Sequence, residues 1–166
     1  MNQHLWDRYY MSLALDEARH AFLAGEIPVG ALAVRGDDII ARGGNLKERK
    51  RLAFAHAELE VMTAASRAVG DWRLEDVTLY VTLEPCLMCS GAMLQARLKR
   101  LVYACADPKA GAIESLYSLA SDPRLNHRIE VAGGVLADQS RYLLRQFFQL
   151  LRIKNKQLKK EGKKSE

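Results

Sequence analysis

His56 and the pair Cys86 and Cys89 stand 30 residues apart, yet their chemistry is useful only if the fold brings them together. Imidazole and thiolate are good zinc ligands, and the carboxylate of Glu58 stands two positions after His56. A structural zinc site is normally closed by four protein ligands, whereas a catalytic one takes three and keeps a position for water. Three ligands with an adjacent glutamate therefore point to a metal that does chemistry. Any fold proposed for this chain must deliver His56-Ala57-Glu58 and Pro85-Cys86-Leu87-Met88-Cys89 to one place. A structural zinc site and a chance spacing are the plainer alternatives.

Alternating helices and strands meet that requirement. Trp6, Tyr9, Tyr10, Leu13, Ala14, Ala18, Ala21 and Phe22 recur at helical spacing, and Gly25 is a natural stop. Residues 27–35 form an apolar run that predicts a strand, Gly36-Asp37-Asp38 a turn, and residues 39–42 its hairpin partner, ended by Gly43-Gly44. Residues 57–69 predict a helix with Leu59, Met62, Ala65 and Val69 inward. A strand over Val77 to Leu83, a helix over 87–97, a strand over Leu101 to Cys105 and a short helix over 113–120 follow. Ile129 to Ala132 predicts a last strand. A long helix from Ala137 carries Leu143, Leu144, Phe147, Leu150 and Leu151, with a charged end expected to fray. The expected fold is α/β: one mixed sheet with helices on its faces.

On this plan His56 and Glu58 open one helix, while Cys86 and Cys89 open another directly after a strand. Residues three apart in a first turn share a face, so both sulfurs can reach one ion. A helix N-terminus favours thiolate, the form that binds zinc, and Pro85 suits a helix start. The edge beyond the strand ends is where open α/β sheets take their ligands. Glu58 suits proton transfer beside a metal-activated water; as a fourth ligand it would close the site. Cys105 reads as a small buried hydrophobe and His127 as structural.

Charge and composition narrow the partners. The net charge is +5, and residues 152–166 hold seven basic and two acidic side chains, a balance equal to the whole. The high pI therefore reports a basic tail, either solubilising or RNA-contacting. A second basic run, Lys47-Glu48-Arg49-Lys50-Arg51, stands just ahead of His56, where phosphate contact and a solvated loop are both open readings. Three cysteines are too few, and of the wrong parity, for a disulfide scaffold. No apolar run is long enough to span a membrane, and no leader pattern opens the chain, so a cytoplasmic location is the expectation. The expected organisation is a single zinc-dependent domain over residues 1–152, with 153–166 a basic extension of the last helix.

His-Ala-Glu with Pro-Cys-x-x-Cys resembles the signature of the zinc-dependent cytidine deaminase superfamily. Further segments are similar to its bacterial tRNA-specific adenosine deaminase branch. These are Gly25-Glu26-Ile27-Pro28-Val29-Gly30-Ala31, Asn45, Leu79 to Met93, Asp107-Pro108-Lys109-Ala110-Gly111-Ala112, Leu125-Asn126-His127-Arg128 and Phe147-Phe148. The resemblance implies a three-layer α/β/α domain with a central mixed five-stranded sheet. It implies one Zn2+ per subunit on His56, Cys86 and Cys89, with Glu58 shuttling protons. Asn45 would hydrogen-bond the target base, Pro28 and Val29 would line its pocket, and Asp107 would contact its sugar. Phe148 and Arg152 would meet neighbouring nucleotides of a tRNA anticodon stem-loop. The implied reaction converts the wobble adenosine to inosine, in a homodimer.

Two departures from the branch pattern stand out. Leu52-Ala53-Phe54-Ala55 replaces a run close to Asp-Pro-Thr-Ala, and Ala112-Ile113-Glu114 replaces a smaller, less charged run. The alternatives are a deaminase of a free nucleobase or nucleoside such as cytosine or guanine, and a non-catalytic zinc-stabilised RNA-binding module. The basic tail and the Phe147-Phe148 helix favour the nucleic-acid substrate, and Glu58 disfavours the non-catalytic module.

Overall fold

The computed structural model describes residues 2–162, so Lys163, Lys164 and Glu166 of the basic tail lie outside the described residues. Helix α1 (Gln3–Leu23) is followed by the hairpin β1 (Gly30–Arg35) and β2 (Asp38–Gly44), then by the short α2 (Lys47–Lys50) and by α3 (Ala57–Val69). Strand β3 (Val77–Leu83), α4 (Leu87–Gln95) and β4 (Arg100–Cys105) come next, and β5 (Glu130–Ala132) and α5 (Ala137–Gly162) complete the order. The sheet runs β2-β1-β3-β4-β5. Strand β1 is antiparallel to β2 and β3, and the pairs β3/β4 and β4/β5 are parallel. The sheet is thus mixed and five-stranded, as expected.

Side chains alternate across the sheet and build two cores. Ala31, Ala33, Leu79, Val81, Leu101 and Tyr103 face α3 and α4 together with Val61, Met62 and Met93. Leu32, Val34, Tyr80, Val102 and Ala104 face α1 through Tyr10, Met11 and Ala14. The result is three layers, with α1 and α5 on one face and α3 and α4 on the other. Helix α1 lies unusually close to the sheet: a Cβ on Gly30 would overlap the Ala14 carbonyl oxygen and the Ala18 nitrogen. Alanines on that helix face and glycine on the strand permit this approach.

Several expectations are corrected. The first strand begins at Gly30, not at residue 27, because Val29 N–H turns back to the Ile27 carbonyl. No regular helix covers 113–120, where turns lead into a single 3-10 turn, Leu119–Ser121. Backbone N–H groups of Ile113, Glu114 and Ser115 donate to the Glu84 carboxylate, which competes with a helical ladder. The helix predicted over 87–97 ends at Gln95, with Arg97 at φ +56° just beyond it. The basic run at 47–50 is helical.

One buried charge was invisible in the helical pattern. Asp7, on the inner face of α1, takes two hydrogen bonds from Arg100 of β4 at 2.7 and 2.8 Å and one from Tyr80 at 2.9 Å. Burial alone would raise its carboxyl, but the bonds from Arg100, Gln3 and Tyr80 outweigh that and hold it below the ordinary carboxylate range.

Two outcomes follow. Gly30→Ala is expected to cost at least about 2 kcal/mol, read as a lower urea midpoint at constant slope, because the added methyl meets backbone that cannot swing aside; an unchanged midpoint contradicts the packing. Arg100→Ala strands the Asp7 carboxylate and is expected to cost about 3–5 kcal/mol at neutral pH. A depressed carboxyl contributes stability above its unfolded pKa and loses it as pH falls through the folded value. The Arg100→Ala deficit should therefore shrink in acid, and a deficit independent of pH would contradict the pairing.

Candidate active site

Four chain segments converge on one edge of the sheet. Val29 immediately precedes β1, Asn45 immediately follows β2, Cys86 follows the end of β3 at Leu83, and Asp107 follows the end of β4 at Cys105. Because β1 is antiparallel to its neighbours, its start lies level with their ends, as the pairing of Gly30 with Gly44 shows. Helices α3 and α4 begin at this edge with His56 and Cys86 as their N-cap residues. Neither side chain caps its helix, so both are free to face an ion.

His56, Cys86 and Cys89 form a cluster able to hold a metal ion, with their ligand atoms all within 4.8 Å of one another. The His56 Nδ1 lies 3.8 Å from Cys86 Sγ and 3.6 Å from Cys89 Sγ. In a tetrahedral zinc site with Zn–N of about 2.0–2.1 Å and Zn–S of about 2.3 Å, that N···S edge is about 3.6 Å. The donor set and its spacing therefore fit such an ion. The bond from Cys89 and the proximity of His56 lower the Cys86 thiol to about 3, whereas Cys86 and burial push Cys89 well up. Metal binding needs both sulfurs as thiolates and would release the protons they carry.

Glu58 is buried, at 4% exposure, and lines the same cavity as His56 and Cys86. Burial pushes its carboxyl up to about 7, against the opposing pull of its own backbone N–H and His56. A carboxyl of that strength can take and return a proton near neutrality.

The cavity holds about 780 Å³. Asn45, Val29, Asp107 and Phe148 all line it. Pro28 does not: it is buried away from the cavity, while Ile27 and Val29 on either side line the wall. Arg152 is exposed one turn beyond Phe148 and is also outside the lining. Cys105 sits apart from the ligand cluster, with its thiol toward the Thr82 carbonyl and Ser140 Oγ. His127 reaches the Leu98 carbonyl at 2.7 Å, a structural contact.

Two buried carboxylates were missed as working parts. Glu84 accepts from the backbone of Asp107 at 2.9 Å and from Ile113, Glu114 and Ser115, and also from the Ser115 hydroxyl. Gly111 has no Cβ because that carboxylate fills the space. Glu26 accepts from the Asn45 amide at 3.4 Å and from the backbone of Glu48 and Arg49 at 3.1 and 2.7 Å. The available signal was an acidic residue abutting an apolar strand at each place. The cations Lys47, Lys109, Arg141 and Arg145 also line the cavity. On α5, Arg141, Leu144, Arg145 and Phe148 recur at helical spacing, a periodicity legible in the sequence but not read as a cavity wall.

Comparisons with known proteins agree with this geometry. The MafB19-like deaminase family profile matches residues 6–152. The tRNA-specific adenosine deaminase of Bacillus subtilis (strain 168) is 45% identical over 154 residues, covering 93% of this chain and 96% of its own. A solved structure from work on A-to-I editing by tRNA:A34 deaminases superposes with a TM-score of 0.79 at 43% identity, covering 82% of this chain and 99% of that one. The guanine deaminase of Nitrosomonas europaea shares the fold more distantly, with a TM-score of 0.69 at 25% identity, covering 84% of this chain and 83% of that one. With its three-ligand cluster at the sheet edge and these likenesses along nearly its whole length, this chain belongs to the bacterial tRNA-specific adenosine deaminase family of the MafB19-like deaminases.

Proposed function

We propose that the chain hydrolytically deaminates the wobble adenosine of a tRNA anticodon to inosine, using one zinc ion per subunit on His56, Cys86 and Cys89. The observation that carries this reading is a buried Glu58 lining the same cavity as a three-member group able to hold a metal ion. When bound, zinc acts as a Lewis acid that lowers the pKa of water towards 7. In the net reaction water supplies oxygen to the purine C6, the C6–N bond breaks and ammonia leaves. Glu58 carries protons to the ring nitrogen and to the departing ammonia. Asn45, held by Glu26, hydrogen-bonds the base, and Val29 packs against it. The Asp107 Oδ1 accepts from Lys109 and Ala110 N–H, which leaves Oδ2 for a ribose hydroxyl. Phe148 stacks on a neighbouring base, and Arg152 meets the backbone.

Size and charge support RNA over a free base. The 780 Å³ cavity exceeds what one base fills, and its lining cations Lys47, Lys109 and Arg145, with Arg141 held by Asp138, suit phosphate. The kinship with a guanine deaminase makes a free base the competing outcome of the test. A homodimer is part of this reading, supported by the apolar hollow of Leu59, Met62 and Ala92 and by the exposed Trp72 and Leu87 on the α3/α4 face. No described helix is long and apolar enough to cross a membrane, and a tRNA substrate suits the cytoplasm.

Purified protein is expected to convert adenosine to inosine in an anticodon stem-loop with adenosine at the wobble position, scored by mass spectrometry. Turnover of free cytosine, guanine or adenosine without inosine in the RNA would overturn the assignment. Glu58→Ala is expected to retain stoichiometric zinc while losing about 10²- to 10⁴-fold in rate. Loss of the metal in that variant would make Glu58 a ligand instead.

A further inference from the structure

The segment between Asn45 and His56 is a built surface of which the site described above uses only Lys47. The Leu46 N–H donates to the Ala55 carbonyl and closes it, and Leu52 and Ala55 N–H donate to the Lys47 and Leu52 carbonyls. Glu26, itself buried, accepts from two of its backbone N–H groups. On this scaffold Phe54 is 56% exposed and Leu52 is 40% exposed. The ring of Phe54 therefore contributes little to the core, although it stands two residues from His56 and in the same loop as Lys47, which lines the cavity.

Basic residues precede it on the same short segment. Lys50 pairs with Glu60 at 2.7 Å, but among the described residues Lys47, Arg49 and Arg51 have no carboxylate within ion-pair distance. An exposed aromatic ring flanked by unpaired cations is how proteins hold single-stranded nucleic acid: the ring stacks on a base of any sequence, and the cations neutralise the phosphates. A second copy of this chain would set like charges against them, which favours a polyanion as the occupant.

We propose that the Lys47–Phe54 loop is a second RNA contact surface, in which Phe54 stacks on the base beside the target nucleotide and Arg49 and Arg51 neutralise the adjoining phosphates. This rests on the RNA-substrate reading above. Lys47 lines the cavity from α2, apart from α5, and Phe54 stands exposed outside that lining, so the strand would be gripped on the α2 side of the cavity mouth as well as at Phe148.

The test compares wild type with Phe54→Ala, Phe54→Leu, Phe54→Trp and the double variant R49S/R51S on the same stem-loop, with melting temperature and zinc content as folding controls. Phe54→Ala and Phe54→Leu are expected to raise KM by about 5- to 100-fold, and Phe54→Trp to stay within a few-fold of wild type. R49S/R51S is expected to reduce the salt slope of binding by about 1.4, or about 0.7 for each lost phosphate contact. An unchanged KM for Phe54→Ala overturns the proposal. So does a loss that tracks dissociation of the subunits while RNA affinity per subunit is kept, because Phe54 would then be a protein contact. A wild type that makes no inosine in the stem-loop sinks the underlying RNA reading; an active wild type with an unaffected Phe54→Ala sinks only this one.

Discussion

The Glu84 carboxylate ties the two halves of the site together. It ends the strand that leads to Cys86, and it accepts hydrogen bonds from Asp107, Ile113, Glu114 and Ser115 on a loop more than twenty residues away. Those bonds outweigh the cost of burial and keep its carboxyl below the usual range. A buried anion in a dry setting is tolerable only with such a shell. The shell in turn leaves the loop little freedom, and the β-bridge between Cys86 and Gly111 adds a backbone tie. The metal-ligand helix and the wall carrying Asp107 therefore cannot shift independently. Glu26 does the same for Asn45 and α2 across the cavity.

Legibility in the sequence followed the kind of physics involved. Strand β3 and helix α3 were readable because apolar periodicity reports burial directly. The ligand cluster was readable because residue chemistry and spacing constrain it wherever the fold goes. The 107–115 loop was not, since its shape is imposed by one distant carboxylate rather than by its own residues. Asp7 was missed for the same reason: its partner, Arg100, is 93 positions away. Pro28 was assigned to the pocket with Val29, but the chain turns at Pro28, with Val29 N–H on the Ile27 carbonyl, and the cavity is lined by Ile27 and Val29 instead.

Two kinds of evidence meet at the sheet edge. In the reading proposed above, His56, Cys86, Cys89 and Glu58 concern bond breaking and would look much the same for any amino-purine or amino-pyrimidine. Lys47, Arg145 and Phe148 line the cavity farther out, on α2 and α5, and in the same reading meet what surrounds the target. The basic side chains of Arg152, Lys154, Lys156, Lys159 and Lys160 continue that outer zone along α5. Substitutions in the outer zone should retune substrate choice while leaving the chemical step in place.

The unused caps of α3 and α4 have a further consequence. Serine, asparagine or aspartate at an N-cap typically stabilises a helix by about 1 kcal/mol over a residue that does not cap. His56 and Cys86 forgo that contribution at both helices. At these two positions the better cap is the poorer ligand, so selection for fold stability and selection for metal affinity pull toward different side chains. A serine at position 86 could make the empty protein sturdier while disabling it, so a stability screen alone would rank an inactive protein above the working one.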